Sequence, residues 1–220
     1  MFLKYYTSNV FYKLFYLIKN TKNICLENRN MDVHMKSDKL LQRIKTLYSS
    51  TFDLEENHLV CKPIQAVGAD TQRCFALYGH FNVDNSRYVL SKRAKLWEAN
   101  CQEHLFVDIP GDGERVCSKR LQHLDELLKE VVEPFYVRNG KKYPPENHMY
   151  SYITVVIVTE DVPEPEIIKK VRSYRFGKTY KFNIRGYMET RLVLVSTADN
   201  TVITNQAGKQ LLKAYRNLII

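Results

Sequence analysis

The side chains of this sequence with the most chemical potential fall in two places. Glu98, Glu103, His104 and Asp108 lie in one short stretch, with His80 upstream. Carboxylates and an imidazole converging on one point are what a hard metal ion or a hydrolytic centre requires. Within a strand, however, the adjacent Glu103 and His104 face opposite ways. Charged residues near strand ends, such as Glu98 and Asp108, are ordinarily solvated. The second place is Lys181, Asn183 and Arg185, which share one face if Lys178–Ile184 is a strand, with Tyr180, Phe182 and Ile184 on the other. A basic face flanked by aromatic rings suits nucleic acid or another anionic ligand, so Lys181 and Arg185 are candidate binding residues. It is equally the solvated side of an antiparallel sheet, or an edge guarded by lysine.

The sequence carries no phosphate loop, dinucleotide fingerprint, nucleophile elbow or H-E-x-x-H motif. Gly111-Asp112-Gly113 follows a proline and reads as a turn. Five cysteines, Cys25, Cys61, Cys74, Cys101 and Cys117, are odd in number and widely spaced. That spacing fits neither a zinc site nor a disulfide framework, and points to reduced thiols in a cytoplasmic protein with no metal or cofactor. Trp97, the single tryptophan, is either a partner anchor or core.

These residues must be positioned by a chain of 220 residues, 45% hydrophobic and 26% charged, the balance of a globular protein. No apolar run is long enough to span a bilayer. Of the net charge of +9, residues 1–30 contribute +4 through Lys4, Lys13, Lys19, Lys22 and Arg29 against Glu27. The body is therefore only mildly basic and demands no polyanionic partner. Residues 1–30 are rich in Phe, Tyr, Lys, Asn and Ile, and read as a dispensable or disordered extension with Met31 or Met35 as working start. Phe11, Leu14, Phe15 and Ile18 also permit an amphipathic membrane-surface helix. Residues 31–220 are read as one α+β domain.

Leu40, Leu41, Ile44, Leu47 and Tyr48 recur at helical spacing. Residues 49–72 read as a connection. Cys74–Val83 alternates like a strand, with Asp84-Asn85 turning into Arg87–Lys92. Lys95–Asn100 and Glu103–Ile109 read as two further strands. Ser118 is placed to cap a helix with a stripe of Leu121, Leu124, Leu128, Val131 and Val132, which Pro134 stops. Tyr150–Thr159 is apolar on both faces and reads as a central strand. Pro163–Arg175 is acidic at its start and basic at its end, as a helix dipole favours. Strands over Lys178–Ile184, Arg191–Thr197 and Val202–Thr204 lead to a final helix over about Gln206–Leu218. The expected fold is α+β: a mostly antiparallel sheet with four to five helices. A faint echo at an offset of 86 adds an expectation of two related β-rich halves. Lys92, Lys95, Leu96, Glu103, Phe106 and Val107 match Lys178, Lys181, Phe182, Glu189, Leu192 and Val193.

The runs FALYGHFNVDNSRYVLSKRAKLWEANCQEHLFV, SYITVVIVT, KTYKFNIRGYMETRLVLV and TNQAGKQL resemble an uncharacterised domain family of Gram-positive anaerobic bacteria, over about residues 38–218. The resemblance implies a bacterial cytoplasmic protein of unknown function and carries over no site residues. The residues themselves favour a non-enzymatic binding or interaction module, for nucleic acid, another anionic ligand or a protein partner. A metal-dependent hydrolase or nuclease using Glu98, Glu103, His104 or Asp108 is the alternative, and a structural subunit a third.

Overall fold

In the computed structural model, the described backbone comprises residues 37–61, 72–88, 95–111 and 114–220. Of these, the side chains of residue 72 and of 84–88 and 95–98 are not described. The first thirty residues, and the expectations attached to them, lie outside this set.

Strand β4 (His148–Thr159) is buried along almost its whole length on both faces, so it must be flanked by strands and covered from both sides. Its neighbours are β3 (Lys95–Asp108) and β6 (Tyr187–Ser196), and both run parallel to it. Beyond β3 lie β2 (Gln72–Tyr88) and then β1 (Asp53–Cys61), each antiparallel to its neighbour. Beyond β6, β5 (Gly177–Thr179) and β7 (Thr201–Thr204) pair with it antiparallel. The seven-stranded sheet is therefore mixed and mostly antiparallel, with an inner parallel trio in the order β3-β4-β6. Together with the four α-helices of the described residues this is the expected α+β class.

Parallel neighbours need crossover helices. Helix α2 (Ser118–Leu127), continued by a wider π-type segment over Leu128–Val137, joins β3 to β4. Helix α3 (Pro165–Ser173) lies between β4 and β6. All three pack on one face of the sheet, against Phe106, Val155, Ile157, Leu192 and Leu194. Helices α1 (Ser37–Tyr48) and α4 (Leu212–Ile219) cover the other face, against Leu105, Val107, Val156, Val158 and Val193. The tyrosines Tyr48 and Tyr215 are buried there and bond hydroxyl to hydroxyl at 3.0 Å.

Several sequence expectations are corrected. Asp84-Asn85 does not turn: β2 runs on through Tyr88. Lys95–Asn100 and Glu103–Ile109 are one strand, with an irregularity between Asn100 and Cys101. Residues 53–61, read as connection, form the edge strand β1. Ser118 is not the cap; Cys117 occupies that position without a side-chain bond. Pro134 does not stop its helix, because the π-type segment contains it. An α-helical proline lacks the bonding N–H and crowds the carbonyl four residues back, whereas the wider winding shifts pairing to the fifth. Gly140 then ends the segment in a left-handed conformation (φ 71°), donating to the Pro134 carbonyl at 2.8 Å.

The echoed residues coincide in part. Glu103 and Glu189 both pair with Tyr152, and Val107 and Val193 both pair with Val156, from opposite sides of β4. Lys95 is in β3, but Lys181 and Phe182 are in a turn, so their expected equivalence fails.

One ion pair crosses the inner trio. Arg191 of β6 donates to Glu103 of β3 at 2.7 Å, both about nine-tenths buried or more. Thr154 of β4 donates to the same carboxylate at 3.3 Å. The guanidinium lies 3.5 Å from the centre of the Tyr152 ring. With its amide oxygen turned toward the guanidinium, Gln210 accepts two further bonds at 2.9 and 2.6 Å. Replacing Arg191 by Met leaves a carboxylate unpaired in the interior and is expected to cost about 3–5 kcal/mol in urea unfolding. Adding Glu103→Gln to Arg191→Met is expected to recover at least half of that loss. A double variant as unstable as the single would show that the charge pair is not what holds the strands.

Candidate functional site: a histidine- and tyrosine-lined cleft

The β2–β3 ladder builds the site row by row. Facing α2 it presents the cross-strand pairs Asn82–Gln102, His80–His104 and Tyr78–Phe106, since paired residues share a face. The Tyr78–Phe106 row is covered by Tyr136 of the π-type segment, whose ring meets those of Tyr78, Phe106, His104 and His58 edge-on at 5.6–6.0 Å. A bulged, wider helix turn of this kind often marks a functional position. The cover ends there, and an open cleft of about 370 Å³ remains. Tyr78, His80, Gln102, His104, Phe135, Tyr136 and Asn139 line it. Asn139 stands at the helix end with φ 52°, a left-handed conformation that asparagine tolerates.

The rings are held by one another. His58 stacks on Tyr78 at 4.3 Å, and His80 on His104 at 4.8 Å. The Glu55 carboxylate lies 2.9 Å from His58 Nδ1, and His58 Nε2 shares a hydrogen bond of 2.7 Å with the Tyr136 hydroxyl. Tyr78 and His104 Nδ1 are 2.9 Å apart. Burial keeps the Tyr78 phenol protonated, with its pKa raised, and a phenol is the better donor of the two. It therefore donates to Nδ1, which places the imidazole proton of His104 on Nε2. Burial first, and the neighbouring His80 second, hold the His104 pKa down at about 3. Burial likewise lowers His80, against the pull of Asp53. Among the described residues, no charged side chain lines the cleft.

Two buried polar atoms on the lining have no partner among the described residues: His104 Nε2 and Gln102 Oε1. By the tautomer above, one is a donor and the other an acceptor. They sit two residues apart on the same strand face. A planar group with its own acceptor and donor on one edge complements them, and the neighbouring rings offer its faces a stacking surface.

The sequence-derived candidates do not converge. Glu103 faces α1 and α4 and is committed to Arg191. His104 faces the cleft on the other side of the sheet. Asp108 is buried at the end of β3, bonded by Arg73 at 3.0 and 2.8 Å and by Arg120 at 3.2 and 2.9 Å. The backbone of Glu98 is in β3; its side chain, like that of Trp97, lies outside the described residues. Among the described residues, no group of three or more His, Cys, Asp or Glu could hold a metal ion. Lys181, Asn183 and Arg185 share no strand face. β5 ends at Thr179, and Lys181, Phe182 and Asn183 all have φ between 48° and 69°. Arg185 is engaged by Glu146 at 2.6 Å and by the Pro144 carbonyl at 3.2 Å.

Sequence reasoning recognised His80 and His104 but not Gln102, Tyr78, Tyr136 or Asn139. The signal was the polar alternation Tyr78, His80, Asn82 between the apolar residues of β2. Tyr136 carried none, because Pro134 argued against any helix there.

Among the described residues, no helix is long and apolar enough to cross a membrane. No curated protein and no solved structure matches the chain. A family model described as Domain of unknown function (DUF8052) matches residues 36–217, nearly all of the described fold. The chain belongs to that family.

Proposed function

We propose that this protein is a non-enzymatic binding module that takes a small, uncharged, planar ligand into the His80–His104 cleft. One observation carries the reading: His104 Nε2 and Gln102 Oε1 are buried and unpaired on the wall of the same open cleft. Each buried unpaired polar atom costs on the order of 1–3 kcal/mol, so two together make sense where a ligand completes them. The cleft lies within the usual size range of small-molecule sites, about 300–1,000 Å³. Its neutral lining argues against an anion bound there, so a nucleic-acid partner would be read through a base edge and not through phosphates. Nothing in the arrangement favours a metal-dependent hydrolase or nuclease, since Glu103 and Asp108 are each spent on arginines. The pairing of Glu103 and Glu189 across Tyr152 also supports an origin in two related halves.

Thermal shift and calorimetry with adenine, uracil and nicotinamide, and inorganic phosphate as the charged control, test the proposal. One or more of the neutral rings is expected to bind. Gln102→Leu and His104→Leu are each expected to weaken that binding at least about tenfold, the worth of one buried hydrogen bond. Binding only of phosphate, or variants that bind the rings as well as the parent, would contradict it.

A second outcome concerns pH. Between about 6.5 and 3 the unfolded chain protonates this imidazole and the native chain does not. The stabilising contribution of neutral His104 is thus complete above pH 6.5 and is lost progressively as pH falls toward 3. His104→Gln is expected to flatten the acid limb of the thermal midpoint against pH. The remaining slope comes in part from His80 and His148, both lowered chiefly by burial. An unchanged limb would show that His104 is not buried neutral.

A further inference from the structure

Between β5 and β6 the chain makes a turn that none of the described elements covers. Three successive residues with side chains, Lys181, Phe182 and Asn183, take left-handed backbone angles of 48°, 53° and 69°, and Gly186 follows at 70°. Such a run is disfavoured for L-residues and persists where surrounding bonds over-determine it. Those bonds are present. Ile184 N–H donates to the Lys181 carbonyl and Gly186 N–H to that of Asn183, both at 3.0 Å. Tyr180 and Gly186 close the base at 2.9 Å, and a Cβ on Gly186 would collide with the Met149 carbonyl. Below, the Tyr180 hydroxyl donates to buried Glu133 at 2.8 Å, and His148 Nδ1 donates to the Arg185 carbonyl at 2.7 Å.

The consequence is a rigid tip that holds two large apolar side chains in water: Phe182 is 99% exposed and Ile184 76%. Folding gains nothing from that placement. Around the tip the charge is positive. Lys181 and Lys142 both stand over the Tyr143 ring, at 4.9 and 5.5 Å, and Lys141 is exposed beside them. Arg185 is matched by Glu146 and adds no net charge.

We propose that this turn docks on an anionic lipid surface, with Phe182 and Ile184 entering the acyl boundary and Lys181, Lys142 and Lys141 meeting headgroup phosphates and carboxylates. Apolar side chains at the apex with cations set back from them match the depth order of a bilayer interface. A protein partner fits less well. A stable protein interface needs about 800 Å² from each side, more than two side chains on a projecting turn present, and lysine is depleted from such interfaces. The inference is independent of the cleft and of what it binds.

Co-sedimentation of the full chain with vesicles tests it, using phosphatidylcholine alone and phosphatidylcholine mixed with phosphatidylserine. Binding to the anionic vesicles is expected, at least about tenfold weaker without phosphatidylserine and weakened by salt. The double variant Phe182→Ser/Ile184→Ser is expected to keep the parent's thermal midpoint, its sites being exposed, and to bind anionic vesicles at least about tenfold less. Lys181→Glu/Lys142→Glu is expected to do the same. Absence of binding to anionic vesicles would overturn the proposal. So would equal binding by the serine variant, which would place the attraction elsewhere, for example on basic residues 1–30. Loss of self-association in the serine variant, with vesicle binding intact, would make the tip a contact between copies of the chain and overturn it too.

Discussion

The rest of this fold follows from a strand that has no wet face. Ile153, Val155, Val156, Ile157 and Val158 of β4 are fully buried, and they point alternately to both sides of the sheet. Neighbouring strands must flank them and helices must lie above and below. Both crossovers of the inner trio leave helices on the same face, as expected when strand order advances in one direction. The first and last described helices are then left to close the other face. On the α2 face the cover thins toward β2 and the adjoining part of β3 around Gln102 and His104. The cleft opens there, at the end of the π-type segment.

Two kinds of buried polar group can be told apart on this frame. Glu103, Asp108 and Glu133 are carboxylates in the interior, and each is met by cations. Glu103 takes Arg191, Asp108 takes Arg73 and Arg120, and Glu133 takes Arg138 and Lys178 together with the Tyr180 hydroxyl. Burial alone would raise the Glu133 pKa, but its three hydrogen-bond donors outweigh that and hold it below the usual carboxylate range. These groups tie elements together: β3 to β6, β3 to β2 and α2, and the π-type segment to β5. His104 Nε2 and Gln102 Oε1 tie no elements together; both are buried, without a partner among the described residues, on the wall of the cleft. The contrast between satisfied charge and unsatisfied neutral groups separates scaffold from site.

Much of the frame was legible in the sequence. The doubly apolar run ending at Thr159, the stripes of α1 and α2, and the charge order of α3 each have a period or composition that local physics imposes. What was hidden depended on tertiary context. β1 is an edge strand with little buried surface, and Asn57 at φ 54° interrupts its alternation, so DLEENHLVC carries no strand pattern. Asp84-Asn85 has turn chemistry, but long pairing with β3 overrides it. Lys178–Ile184 alternates like a strand, yet Gly186 and the contacts of Arg185 bend it into the left-handed turn. Of the site, His80 and His104 were visible as an unusual pair, while Gln102 needed the register of β3 and Tyr136 needed a helix that survives proline.

The central claim is that His104 is neutral, carries its proton on Nε2 and presents that proton to a ligand beside Gln102. Ring-nitrogen NMR of histidine-labelled protein reads each part directly. The account predicts an Nε2–H signal for His104 that does not titrate until pH approaches about 3, and that shifts when nicotinamide or uracil is added. An Nδ1–H tautomer, titration near 6.5, or a signal indifferent to every planar amide would contradict it.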